Sequence, residues 1–338
     1  MPTNITQVWD SITSSWANVA TVAPTAAILK EVVITTPGIS YIVRKAPANS
    51  GEYELPANVS AIHVLLVGGG GGGSRGASRV TCSVTTCICG GSYTLGAGGG
   101  AGEVVEKIID MSSVSYLTVT VGAGGAGQTT SSATGNHSDG SPTTLVTNSL
   151  SAPIGTVTAL GGGRAAWAYV PSGLTVVALS VVGVPGGSSG GLAIVGSVSG
   201  CTTIPNYATG GSGAGGSNLA FSNAFAYATA SVPYTYPRST ASTGLGHSTF
   251  APDALGWGSP QGGQGVAIFG RALAGGGPGV NNSGTVSQTS QFGAPNSLQY
   301  GNETTGGNAT ANTGSGGGGG DSAGGNGGSG ICVIRYYG

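Results

Sequence analysis

Apolar and polar positions alternate in short blocks along this chain. Tyr116-Leu117-Thr118-Val119-Thr120-Val121 and Glu103-Val104-Val105-Glu106-Lys107-Ile108-Ile109 repeat with a period close to two. That period places successive side chains on opposite faces of a strand, and the β-branched residues in these blocks suit a half-buried pleated surface. Strands are predicted at Glu52-Tyr53-Glu54-Leu55, Ala61–Val67, Gly102–Ile109, Tyr116–Val121, Thr143–Val146 and Thr156–Leu160. A last one, Ile331–Tyr337, stands at the far end of the chain. Residues 165–330 then form a long excursion that returns to close a β-sandwich.

The first fifty residues follow another pattern. Ile5, Val8, Trp9, Ile12, Trp16 and Val19 fall three and four apart, a helical stripe that Pro24 would end. Val32–Thr35 and Ser40–Arg44 flank Thr-Pro-Gly-Ile and predict a hairpin. This reads as a short helical/hairpin module over 1–50, ahead of a glycine-rich β domain over 51–338 with a loop-rich insertion at about 165–313. So small a module cannot bury Trp9 and Trp16 alone. They are candidate anchoring residues, against copies of the chain or a partner.

Glycine changes the picture most. It supplies 68 of 338 residues, about three times ordinary usage. The run Gly68, Gly69, Gly70, Gly71, Gly72 and Gly73 begins directly after the apolar Ile62–Val67, and Gly316, Gly317, Gly318, Gly319 and Gly320 stand shortly before the last strand. Disorder goes with low hydrophobicity and high net charge, yet here 39% of residues are apolar, 6% are charged and the net charge is −1. Ordered glycine is the better reading. A collagen helix lacks its strict period here. Gly122, Gly124 and Gly127 match the dinucleotide fingerprint formally, but the turn-forming residues behind them supply no helix N-terminus. What remains is extended glycine chains of polyglycine II type, three residues per turn, packed closely because they carry no Cβ. Gly68–Gly73 and Gly316–Gly320 are the structural polyglycine candidates.

Charge adds exclusions. The ten Lys and Arg are scattered, which gives no basic stripe for nucleic acid. No Lys, Arg, Asp or Glu lies between Arg164 and Arg238. The start of the chain has no signal-peptide pattern, and Leu174–Val182 is too short to span a bilayer. Cys82, Cys87 and Cys89 have no zinc spacing; a local disulfide and idle thiols both stand open, while Cys332 in its strand reads as a packed thiol. The close carboxylate pairs Glu52/Glu54 and Glu103/Glu106 sit on exposed strand surfaces, His63, His137 and His247 have no triad partner in sequence, and no nucleophile elbow occurs. No enzyme, no cofactor and no metal is expected.

Four segments carry a resemblance. Leu55-Pro-Ala-Asn-Val-Ser-Ala-Ile-His-Val-Leu-Leu-Val67 leads into its glycine run; Gly98-Gly-Gly-Ala-Gly-Glu-Val-Val-Glu and Leu117-Thr-Val-Thr-Val-Gly-Ala-Gly-Gly-Ala-Gly follow; Gly-Gly-Ser-Gly330-Ile-Cys-Val-Ile-Arg-Tyr closes the series. In this order they resemble the glycine-rich domain of bacteriophage tail-fibre proteins, and are similar to the polyglycine-sandwich adhesins at the fibre tips of T-even-type phages. The resemblance covers about 51–164 and 314–338; the longer, more aromatic spacer at 165–313 departs from it. It implies a virion protein, a homotrimer, exposed on the particle and contacting a bacterial surface receptor (a glycan or an outer-membrane protein) through distal loops. Residues 1–50 would then join other virion proteins. Tyr227, Tyr234, Tyr236 and Trp257 lie in the most aromatic stretch and are the receptor-binding candidates. Alternatives are a purely structural head fibre, decoration or tail-tip subunit, and a surface-polysaccharide depolymerase.

Overall fold

The structure is a computed structural model that describes residues 7–10, 15–18, 29–83, 88–94, 96–130, 136–165, 167–169, 177–179, 193–199, 202–208, 265–279, 293–295 and 305–337. Its framework is two packed sheets. One holds four strands in the order β1 (Leu29–Ile34), β11 (Ile331–Tyr337), β4 (Ala61–Val67) and β5 (Val104–Asp110), all antiparallel. The other holds five, β8 (Pro153–Ala159), β7 (Thr143–Asn148), β6 (Tyr116–Thr120), β2 (Ser40–Lys45) and β3 (Tyr53–Leu55). Only the β2–β3 pair of this framework is parallel.

Alternation decides which side chains meet. Ile34, Ile62, Val64, Leu66, Ile109, Cys332 and Ile334 of the first sheet share one core with Val43, Leu55, Leu117, Val119 and Leu145 of the second. The intervening residues of β4 and β11, Leu65, Val67, Ile331 and Val333, face the other way into a second core. A short hairpin, β9 (Val266–Ile268) and β10 (Arg271–Leu273), contributes Leu273, Val266 and Ile268 to that core. Thus β4 is buried on both faces towards its end, as its almost continuous apolar run requires. Cys332 is fully buried, and burial pushes its thiol far above the ordinary range.

Two expectations for the N-terminal region are corrected. No helix is present among the described residues. Gln7–Asp10 and Ser15–Asn18 are strands paired antiparallel, with Trp9 opposite Trp16. A separation of seven fits two helical turns, and it also fits a cross-strand pair around a short connection. β-branched and aromatic residues, with Asp and Ser competing for backbone bonds between them, favour the second. The hairpin over Val32–Thr35 and Ser40–Arg44 is absent too. Both segments are strands, but β1 joins the first sheet and β2 the second. The link between them is a corner: Pro37 bridges Val121, and Gly38, at φ 75°, donates to the Val121 carbonyl at 3.0 Å.

Candidate functional site

The strands of both sheets do not end where the glycines begin; they continue as extended rods. β4 runs into 68–74, β6 into 122–128 and β8 into 160–165, while 96–103 feeds β5, 138–142 feeds β7 and 323–330 feeds β11. Residues 68–74 occupy the centre. Gly68, Gly71 and Ser74 donate to the carbonyls of Glu103, Gly100 and Ala97 at 2.7–2.9 Å. Gly69 and Gly72 donate to Ser141 and Ser138, and Gly70 and Gly73 to Gly328 and Gly325. Three further rods donate back: Gly162 and Ala165 to Gly69 and Gly72, Gly125 and Gln128 to Gly70 and Gly73, Gly317 and Gly320 to Gly71 and Ser74.

Every partner advances by three residues, so the rod is a threefold helix of the polyproline II class. It gives hydrogen bonds to three antiparallel neighbours and takes them from three parallel ones. The backbone groups of a buried segment are thereby satisfied without a sheet. A Cβ built on any glycine from Gly68 to Gly73 would fall deep inside contact distance of a neighbouring carbonyl: Leu160 and Gly163, Ala123 and Ala126, Ser315 and Gly318 in turn. Those carbonyls too are three residues apart. Glycine is required here by close approach.

Residues 315–320 form a second hub. Gly316 and Gly319 donate to Gly275 and Pro278, Gly318 to Gly307, and Gly99 donates to Gly317. The few side chains admitted to the bundle serve its backbone. Thr143 Oγ1 donates to the Val67 carbonyl at 2.6 Å and accepts from Gly122 N at 2.9 Å, at the seam where sheet becomes bundle. Buried Gln128 accepts from Arg75 N, Asn326 from Gly127 N, and Ser74 Oγ from Ala97 N.

The bundle has two distinct ends. Rods 68–74, 122–128, 160–165, 275–279 and 315–320 all run parallel, away from the sheets. The chain therefore leaves the bundle at its far end after residues 74, 128, 165, 279 and 320. Two of these departures lead to a four-stranded sheet built from Ala77–Ser83, Ile88–Thr94, Ala193–Ser199 and Thr202–Ala208. At the opposite end, Tyr337 pairs with Leu29, which brings the last strand and the first framework strand together at the base.

At the loop end His137 is buried, its Nε2 2.6 Å from the Ala165 carbonyl. Asp139 accepts from Arg164 N at 2.8 Å, and Arg164 Nη1 donates to the His137 carbonyl. Burial holds the His137 pKa below its ordinary value, with Arg164 adding to the effect and the Ala165 bond and Asp139 opposing it. At the base a different cluster clamps the β9–β10 hairpin. Arg335 lies 3.8 Å over the Phe269 ring, His63 meets the same ring edge-on, and Arg271 and Arg335 both pair with Glu31. His63 also pairs with Glu106 at 2.7 Å, a diagonal neighbour, since its direct partner is Ile108.

Sequence reasoning missed both clusters. The base cluster draws on residues 31, 63, 106, 269, 271 and 335, whose proximity no local pattern encodes. Its one readable hint is that His63 alternates with the core residues of β4. The carboxylate pairs do not converge on a shared space: Glu52 binds Arg44 and Glu54 binds Ala48 N, while Glu103 accepts from Leu160 N and Glu106 binds His63. No group of three or more His, Cys, Asp or Glu able to hold a metal ion occurs among the described residues. Tyr227, Tyr234, Tyr236 and Trp257 lie outside the described residues, as does Cys87.

No curated protein matches the chain. A family model described as a glycine-rich domain matches residues 46–337, which takes in both packed sheets from β3 onward and every rod of the bundle. The chain belongs to this glycine-rich domain family.

Proposed function

We propose that this protein is a bacteriophage virion component of the tail-fibre or receptor-binding type, which holds a bacterial surface receptor with the loop end of its glycine bundle. The observation that carries the reading is the two-ended build. The two framework sheets, with the terminal framework strands, are gathered at one end, where attachment to a particle leaves the other end free. The bundle then acts as a stiff spacer, since its backbone bonds run in several directions at once. The long connections leave from the far end, and the 166–264 connection is poor in charge and rich in Tyr, Ser and Gly. Such residues give rigid contact area with adaptable hydrogen bonding, a composition suited to a glycan or the loops of an outer-membrane protein. The chain would act by binding, without chemistry, as a homotrimer on the particle surface.

Purified, folded protein should bind host cells and lower phage adsorption in competition. Alanine at Tyr227, Tyr234, Tyr236 or Trp257 should weaken that binding while leaving the melting temperature within a degree or two of wild type, as for surface positions. Folded protein that binds no cells, together with its location on a capsid by particle imaging, would replace this reading with a purely structural virion role.

A further inference from the structure

The sequence leaves the pairing of Cys82, Cys87 and Cys89 open, and Cys201 lies more than a hundred residues away. The sheet at the loop end resolves this. In the hairpin of Ala77–Ser83 and Ile88–Thr94, Cys82 and Cys89 are direct register partners, between Thr81↔Gly90 and Ser83↔Ile88. We propose that Cys82 and Cys89 form a cross-strand disulfide that closes this hairpin once the protein meets an oxidising environment.

Directly opposed residues of an antiparallel pair have Cα atoms about 4.5 or 5.5 Å apart, depending on their place in the ladder. Both separations fall inside the range of about 4.4–6.8 Å that disulfides adopt. Directly opposed residues also stand on one face of the sheet. Cys87 and Cys201 lie outside the described residues. Cys201 is the rival, because the strand Ala193–Ser199 flanks the hairpin on its other side, with Ser199 opposite both Gly90 and Thr202.

The chemistry is thiol–disulfide exchange with a small external disulfide such as oxidised glutathione. One cysteine thiolate attacks it and expels one glutathione thiolate; the second cysteine thiolate attacks the mixed disulfide and expels the other. The two cysteines lose two protons and two electrons, and the external disulfide is reduced to two thiols. A reducing cytoplasm keeps the pair open, and release from the cell closes it. The link would staple the hairpin that carries one half of the four-stranded sheet at the loop end. It stands whatever that end binds.

The test uses the full wild-type chain, equilibrated with oxidised glutathione, then unfolded and alkylated with iodoacetamide without reductant. Peptide sequencing by mass spectrometry should find Cys82 and Cys89 unalkylated and linked, the pair two hydrogens lighter than the free thiols, with Cys87 and Cys201 alkylated. After reduction both protected positions should label fully. Cys82→Ser should leave Cys89 fully alkylated without reduction, and Cys87→Ser should not change the link. Alkylation of most of Cys82 or Cys89 in the oxidised wild type, or a link from either to Cys87 or Cys201, would overturn the assignment.

Discussion

Val67 and Gly68 are adjacent, yet they belong to two kinds of protein interior. Up to Val67 the chain is a strand bonded to two neighbours in one plane, and the identity of each buried side chain decides the packing. Ile62, Val64 and Leu66 fill the core between the sheets, and Leu65 and Val67 fill the one behind. From Gly68 the same chain bonds neighbours in several directions, and what decides the packing is the absence of any side chain. The framework is held by buried apolar area, which degrades gradually as atoms are removed. The bundle is held by backbone bonds, each worth about 1 kcal/mol net, which survive only if every rod keeps its distance. The framework tolerates substitutions by degree; the bundle tolerates them hardly at all.

The sharpest break comes from Gly70→Val. Its Cβ would meet the Ser315 carbonyl, and neither backbone can move without breaking further bonds to residues 125 and 328. The loss should exceed about 5 kcal/mol, enough to abolish soluble folded protein. The control is Gly155→Ala on the edge strand β8, where the nearest atom to a new Cβ is Thr147 Oγ1 at 3.5 Å. It should shift stability by no more than about 0.5 kcal/mol. Soluble yield and thermal melts followed by circular dichroism separate them. A Gly70→Val protein that melts like wild type would remove the close-packed bundle.

The framework's counterpart is Leu66→Ala. Leu66 is fully buried between the sheets, so truncation should cost about 2–5 kcal/mol through lost burial and a residual cavity. The protein should still fold, with its denaturant midpoint lowered. The contrast is in kind: removing three heavy atoms from the framework weakens it, whereas adding three to the bundle prevents it.

The sequence speaks unevenly about these two interiors. Strands β4, β6 and β11 are legible because alternation follows directly from burial on one face or two. The glycine runs announce close packing, since only exclusion of side chains makes so much glycine compatible with order. Their layout is not legible: every rod is locally equivalent, and only the register of long-range bonds makes 68–74 the centre and 315–320 a second hub. The Trp9/Trp16 spacing misleads because seven residues serve a helix and a hairpin equally. The corner at Pro37-Gly38 misleads because a turn signal does not say whether the chain returns to the same sheet. His137 and the Phe269 cluster depend on contacts from distant segments, and no local signal marks them.

A smaller effect distinguishes the outer cover of the framework from the bundle. Arg335 stacks on Phe269, pairs with Glu31 and donates to the Phe269 carbonyl at 3.1 Å. A partly exposed cation–π contact with an ion pair is worth about 1 kcal/mol. Arg335→Ala should lower stability by about that much and speed amide exchange across 265–273, with protection in 68–74 unchanged. Equal loosening of both regions would show that the hairpin is part of the bundle's cooperative unit and not a strap upon it.

Acid should separate the two interiors with the gentlest perturbation. His137 titrates below its ordinary 6.5 in the fold because burial disfavours its charge. The unfolded chain therefore takes up the proton first, and the stability this residue contributes is full above pH 6.5 and lost as pH falls towards its folded value. In the framework, the Arg44 pair and Asn49 hold Glu52 down to about 2, against an ordinary 4.5, and Glu31 and Asp110 are lowered in the same direction. Their contribution persists down to about pH 4.5 and fades only below it. Amide protection, corrected for intrinsic exchange, should thus fall first in 136–141 and 160–165 between pH 6.5 and 4.5, while 40–55 holds. His137→Gln keeps a donor for the Ala165 carbonyl and removes the titration, so it should flatten that upper limb and leave the lower one. Simultaneous loss in both regions, unchanged by His137→Gln, would mean that the bundle and the framework unfold as one and that His137 senses nothing of its own.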